Sequence, residues 1–409
     1  MMIFNGQALH RFNARSPPEA QDGLISIVNY RTQIVSSLDE IGRENWDGLV
    51  AAQQDRNPFL SFAFLHALHA SGSASPQSGW QPQYLTLWQG KSLDAALPLY
   101  VKSHSYGEYV FDWAWADAYR RNGLDYYPKL LSAIPFTPVA GSRLLARSEE
   151  ATVRLVDALC SLQEENGLSS THILFPPEAQ AHILKEAGFM LRTGIQFHWI
   201  NHGYRDFEDF LSSLDRKKRK NIRAERRKVQ EAGVTFRHIP GEEAGEADWR
   251  FFKRCYDRTY AAHYSTPYLN LDFFLRLGEA MSRNLRLIVA ERSGKRVASS
   301  FVVHDESTLY GRYWGAIEDI PCLHFETAYY QPLEFCIERG IRSFEGGAQG
   351  EHKMARGFLP HKTWSAHWLA HPAFADAVER FLQQEAGGID AYLDELNDRQ
   401  PFRQSDQLR

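Results

Sequence analysis

Apolar and polar positions along the chain fall into two series that follow the same order. "PFLSFAFLHAL" from Pro58 and "PYLNLDFFLRL" from Pro267 each place a Pro, an aromatic residue and a Leu ahead of a polar residue, Ser61 or Asn270. An apolar pattern of helical period follows in both. Ser and Asn at that point predict N-caps, because their side-chain oxygens take up a backbone N–H that the first helical turn leaves unpaired. Gly90-Lys91 then divides "YLTLWQ" from "LDAALPLYV", and Gly294-Lys295 divides "LRLIVAER" from "VASSFVVH", so each series predicts a hairpin. Sixteen positions beyond each Gly stand Tyr106-Gly107-Glu108-Tyr109 and Tyr310-Gly311-Arg312-Tyr313. Next, "EEATVRLVDALCSLQEENG" and "FETAYYQPLEFCIERG" read as helices closed by Gly167 and Gly340 in the left-handed cap position. A short strand follows each, "THILFP" or "RSFEGG". Each series ends in a long strand, "GFMLRTGIQFHWI" or "GFLPHKTWSAHWL", with His-Trp ten residues after its first Gly, at His198-Trp199 and His367-Trp368.

Three matches in one order predict two copies of a single α/β unit. The expected division is an N-terminal tail over 1–30, a first unit over 31–202, a second over 203–390 and a C-terminal tail over 391–409. The first unit carries an insertion at about 120–148, expected as a lid or wall, since long loops in compact domains are usually functional.

The stretch "KSHSYGEYVFDWAWADAY", from Lys102 to Tyr119, mixes six aromatic side chains with three acids. Aligned with the third strand of the unit, it puts Tyr109, Phe111, Trp113 and Trp115 on one face and Glu108, Val110 and Asp112 on the other. The second face is what an acceptor cleft for an amine would need. Asp112 and Asp117 would orient an ammonium or hydroxyls, with Trp113 and Tyr119 beside them. The alternative is that the acids pair with Lys or Arg of the insertion, for stability alone.

Composition narrows the classes. A chain of 409 residues with 44% hydrophobic content suits two or three packed domains, and a net charge of -4 gives no general pull toward nucleic acid or membrane. Four scattered cysteines without a CxxC pair predict reduced thiols and no metal site. The opening "MMIFNGQALHRFNARSPPEA" lacks the apolar core of a signal peptide, and no apolar run nears the ~20 residues of a spanning helix. A soluble, cytoplasmic protein with no transmembrane segment is expected.

The repeated layout resembles the GNAT acyltransferase fold, and two copies in one chain look like the Fem-type peptidyl transferases. Residues 79–119, "DRKKRKNIRAERRKVQEAGV" and "FEGGAQGEHKMARGFLPHKTWSAHW" are similar to the FemAB-like family, the peptidoglycan biosynthesis/recognition proteins taken as N-acyltransferases. The resemblance implies an α/β (α+β) fold of tandem GNAT-like domains, each a mixed, mostly antiparallel sheet flanked by helices. It also implies an amine attacking an activated acyl carbonyl in a gap between two splayed parallel strands. Aminoacyl-tRNA or acyl-CoA would serve as co-substrate, with no tightly bound cofactor and a small-molecule or peptide amine as acceptor. The usual Q/RxxGxG/A pyrophosphate loop is not visible after the third strand of the second unit, which weighs against acyl-CoA.

"EGGAQGEHKMARGF" follows the short strand that would border the donor gap in the second unit. Lys353 ahead of Gly357-Phe358 looks similar to the Fem-type Lys beside an aromatic and a Gly, at longer spacing. It would bind a carboxylate or phosphate, or face the oxyanion. Glu345, Glu351 and His352 are candidate general bases, left unranked by the sequence. Gly346, Gly347, Gln349 and Arg356 would contact substrate, and Tyr313 and Trp314 would wall the cleft.

Nine basic residues lie between Arg216 and Lys228 against one acid, Glu225. Arg216, Lys220, Arg223 and Arg227 share a helical stripe opposite Ile222 and Val229, which predicts an anion-binding face for a phosphate-bearing ligand or tRNA. Two further readings remain open: a non-catalytic protein that recognises peptidoglycan precursors or another anionic glycan, and a tRNA- or RNA-binding protein.

Overall fold

The computed structural model describes residues 29–403 except 349. Residues 1–28 of the expected N-terminal tail therefore lie outside the described residues, as does Gln349.

The local predictions hold where the signal is local. Ser61 and Asn270 cap the helices Phe62–Ala70 and Leu271–Ala280, each side chain accepting from the N–H of the third residue on. Gly90 and Gly294 turn their hairpins with φ of 59° and 72°. The two capped helices pack on one another through Phe64 and Phe273, whose rings meet edge-on at 5.7 Å. One core cluster thus runs through both units.

Strand pairing repeats in the two units. In the second, Val234–Pro240, Leu285–Arg292, Lys295–His304 and Thr308–Ala316 run antiparallel in that order, and Thr308–Ala316 then pairs in parallel with Ser343–Glu345. In the first, Arg31–Val35, Tyr84–Gln89, Ser92–Leu97 and Leu145–Ala146 form a separate four-stranded sheet. Tyr100–Lys102 pairs antiparallel with Lys129–Ser132, which runs parallel to Ser170–Leu174.

The final strands are exchanged. Met190–Ile200, which closes the first half of the chain, pairs with Ser343–Glu345 of the second. Leu359–Leu369, which closes the second half, pairs with Ser170–Leu174 of the first. The two exchanged strands also pair with each other, and this joins the halves into one eleven-stranded sheet.

Two expectations are corrected. Lys102–Tyr119 is not the third strand. Residues 103–112 form turns around Gly107, and Trp113–Arg121 is a helix. A spacing of four sends Trp115 and Tyr119 into a cluster with Leu369, Val378 and Leu382, while Asp117, Arg120 and Arg121 pair with one another at the surface. The third strand lies after this detour at Lys129–Ser132, so Tyr109 and Tyr313 do not occupy equivalent strand positions. Residues 391–403 are not a free tail either. The helix Pro372–Asp398 continues through them with Leu396 buried, and Asp215 N–H bonds Pro401 O at 2.8 Å.

Candidate active sites in the two units

In the second unit the parallel pair holds for three residues only, ending at Tyr310 opposite Glu345. Beyond that point Thr308–Ala316 continues, with Arg312 as an extra bulged residue, while residues 346–348 turn away. Parting these strands leaves backbone groups of 311–316 without that neighbour and opens a cavity of about 90 Å³, lined by Phe301, Tyr313, Trp314, His324, Tyr329 and Gly346. Helix Glu246–Ala262 lies tightly against the strand. A Cβ at Gly315 would sit 2.0 Å from Cys255 O, so only Gly fits there.

Glu345 sits at the fork. Its Oε2 is buried, has no hydrogen-bond partner, and lies 4.0 Å from His198 Nε2. Burial pushes the carboxyl up to about 8, with Arg312 opposing. His198 is held neutral, lowered to about 3 by burial, then by His361 and Lys353. His361 stacks on it at 4.4 Å. Gln196 bonds His198 at 3.2 Å and anchors itself on Pro138 O of the first unit at 2.8 Å.

Lys353 is buried, and its Nζ donates to Gly347 O at 3.0 Å. Burial lowers its ammonium to about 8. Its stem lies over Gly346, where a Cβ would come within 3.1 Å of Lys353 Cδ, so this glycine lets the lysine fold back against the fork. His324 is lowered to about 4 by burial first, then by the neighbouring His352, Arg356 and Lys353. His324 lines the cavity and Lys353 packs behind Gly346 of its wall, so both stand near where an anion would develop.

Glu345, Gly346, Lys353, Tyr313 and Trp314 are therefore brought together. Tyr313 donates to Phe136 O of the first unit at 3.1 Å, and Trp314 stacks on His324 at 4.4 Å. Other expected members are elsewhere. Glu351 is exposed and accepts from Arg399 at 2.9 Å, where it holds the C-terminal helix. His352 is exposed and meets Tyr329 OH at 3.3 Å. Arg356 is paired with Glu225 of the basic helix at 2.9 Å and stacks on Phe325 at 3.5 Å, contacts that brace the loop. Gly347, at φ 86°, turns the chain out of the fork.

The first-unit acids do not line an acceptor cleft. Lys129, which opens the third strand within the stretch expected as an insertion, is fully buried and pairs with Asp112 and with Glu108 at 2.9 Å. Against the burial that opposes ionisation, Lys129 and then His172 hold the Asp112 carboxyl below the usual range. Asp112 also accepts from Tyr126 OH at 2.6 Å. Asp117 is spent on Arg120 and Arg121, Tyr119 is buried on Phe374 at 4.2 Å, and Trp113 is exposed beside Tyr106. The stabilising alternative for these acids is the one observed.

The basic helix, Arg216–Glu231, buries Ile222 and Val229 as its pattern predicts. Arg216, Lys220 and Arg227 are exposed. Arg223 pairs with Glu208, and Arg226 turns inward to Glu326 and Glu334.

Known proteins bear on this arrangement. The family model for FemAB-like proteins, described as peptidoglycan biosynthesis/recognition, matches residues 37–404. The chain belongs to the FemAB-like family. Among solved structures, FemX matches 82% of this chain and 98% of its own at 10% identity, with a TM-score of 0.53. The C-terminal domain of a putative lysylphosphatidylglycerol synthetase from Agrobacterium fabrum matches 85% and 96% at 12% identity, with a TM-score of 0.52. L-PGS from Bacillus licheniformis matches 85% and 97% at 10% identity, with a TM-score of 0.50. No curated protein sequence matches the chain. These likenesses are of fold, and the FemAB-like protein is a tandem GNAT-like α/β structure.

His198, His361, Gln196 and Arg312 escaped the sequence reading. The His-Trp dipeptide had marked the repeat, but only the strand exchange sets His198 beside Glu345. Among the described residues no three His, Cys, Asp or Glu side chains are grouped to hold a metal ion. No described helix is long and apolar enough to cross a membrane.

Proposed function

We propose that this FemAB-like protein is an N-acyltransferase, moving an acyl or aminoacyl group from an activated donor to an amine at the second-unit fork. Glu345 is the observation that carries this reading. A carboxyl raised to about 8, with a buried Oε2 that accepts no hydrogen bond, stands where the strands part, and its ionised form is a strong base. It takes the proton of the attacking amine. Lys353 and backbone N–H groups of the parted strand face the oxyanion of the tetrahedral intermediate. Neutral His198 fixes the Glu345 side without adding a competing charge.

Aminoacyl-tRNA suits the donor side better than acyl-CoA. Glu318 and Asp319 lie in the loop ahead of the helix beginning at Leu323, where a pyrophosphate would need N–H groups free of nearby acids. The exposed cations of Arg216–Glu231 suit a polyanion. The family description favours a peptidoglycan precursor as the amine.

The test is to incubate the protein with charged tRNAs, acyl-CoAs and a cell extract, and to search for small molecules that gain an acyl mass. Transfer that disappears with Glu345→Gln supports the reading. Specific binding of a precursor without transfer from any donor would favour a recognition protein instead.

A further inference from the structure

A second chain of polar groups crosses the junction of the units, away from the fork. Ser365 lies on the exchanged strand Leu359–Leu369 and lines a cavity of about 250 Å³ between the units, with Arg192, Thr363, Gln196, Phe111 and Ala348. Ser365 Oγ is 2.8 Å from His367 Nε2. His367 Nδ1 is 2.8 Å from His172 Nδ1. His172 Nε2 is 3.0 Å from Tyr126 OH, which donates to Asp112 at 2.6 Å. All five residues are buried.

The donors order themselves from the carboxylate end. Asp112, ionised beside Lys129, only accepts, so the Tyr126 hydroxyl hydrogen is committed to it. The Tyr126 oxygen then accepts from His172 Nε2–H, a tautomer also favoured by Asp112 Oδ2 4.0 Å away. His172 Nδ1 is bare and accepts from His367 Nδ1–H, which leaves His367 Nε2 bare toward Ser365. Each hydrogen points from the cavity to the carboxylate. Nucleophile, base and orienting groups stand within hydrogen-bond reach of one another, as an activated hydroxyl requires.

We propose that Ser365 is a nucleophile that accepts an acyl group from an activated ester or thioester held in this cavity, with His367 as its base. Ser365 Oγ bonds to the acyl carbon while its proton passes to His367 Nε2. The ester C–O or thioester C–S bond breaks, and the leaving alkoxide or thiolate takes that proton. The products are an acyl-serine ester and a free alcohol or thiol. An amine then cleaves the ester, which forms an amide and restores Ser365. Arg192, opposite Ser365 in strand register, lines the same cavity with its guanidinium held by Glu385 at 2.7 Å and by Phe111 O at 2.8 Å. Two imidazoles in series have a physical purpose. As His367 Nε2 gains a proton, Nδ1 passes its own to His172, so the positive charge moves off the cavity to a ring 4.0 Å from the Asp112 carboxylate, where the Lys129 ammonium opposes it and drives the proton back to the leaving group. Burial keeps both rings neutral at rest, His172 lowered to about 3.

This centre lies six residues along Met190–Ile200 from the fork, roughly 20 Å, and its test needs no acyl acceptor. The full chain is treated with diisopropyl fluorophosphate, in which Ser365 Oγ displaces fluoride from phosphorus, and the adduct is mapped by peptide mass spectrometry. We expect an adduct on Ser365, formed about 100-fold more slowly in His367→Gln and about 10-fold more slowly in Tyr126→Phe. Absence of a Ser365 adduct on the folded wild-type protein overturns the proposal. So does an unchanged labelling rate in either variant, and Tyr126→Phe keeps the test decisive if His367→Gln fails to fold.

Discussion

Glu345 and His198 face each other across neighbouring strands, Oε2 to Nε2 at 4.0 Å, and they come from opposite halves of the chain. His172 and His367 face each other in the corresponding register of the other half, Nδ1 to Nδ1 at 2.8 Å. Each His-Trp strand therefore completes the unit it does not follow in sequence. One junction holds a carboxyl at an open fork, and the other holds a closed chain of imidazoles.

Glu345 ties stability to pH. Its folded value, about 8, lies above the ordinary 4.5, so between those values the folded protein holds a proton that the unfolded chain releases. Stability from this group is therefore lost as pH rises from 4.5 to 8. Glu345→Gln should flatten that loss and gain up to about 5 kcal/mol at pH 8.5, while transfer falls by at least ~100-fold. Urea titrations at pH 5 and pH 8.5 measure the first effect, and a variant with wild-type pH dependence would contradict the assignment.

Lys353 is buried, so Lys353→Ala removes packing together with charge and cannot separate the two. Lys353→Met keeps most of the volume. We expect it to melt within a few °C of wild type, since Met fills similar space and removes a buried, desolvated ammonium, and to lose ~100-fold in turnover. Turnover at the wild-type level would remove Lys353 from the site.

Lys129 neutralises two buried carboxylates. Lys129→Ala leaves Glu108 and Asp112 without their cation and should cost about 3–5 kcal/mol, the range for breaking a buried pair from one side. Chemical denaturation reads this directly. A loss below ~1 kcal/mol would mean that water reaches the cluster and that the acids serve a ligand after all.

Arg216 and Lys220 are exposed on one helical stripe. The double change Arg216→Glu, Lys220→Glu should weaken tRNA binding by ~10-fold or more at low salt, shrink its salt dependence, and leave the melting temperature in place. Equal affinity for the reversed protein in a filter-binding titration would make the stripe an ordinary solvated face.

Local and periodic features are legible along the chain. Ser61 and Asn270 cap helices because a cap needs only its own next turn. Gly90 and Gly294 turn hairpins because the positive φ belongs to the residue itself. Ile222 and Val229 are inward because the helical period decides it, and the repeat was visible as recurring spacing. Which strand neighbours which is set only when the chain folds. A two-residue alternation from Tyr109 to Trp115 also contains the four-residue spacing of Trp115 and Tyr119, and burial against Leu369 and Val378 selected the helix. The acids near Asp112 looked like a site until Lys129, from beyond that helix, was found between them. His198 carried no chemical signal, because its partner Glu345 stands far along the chain and arrives only through the exchange of final strands. Pairing between distant segments depends on the whole sheet closing at once, and no window of sequence holds that information.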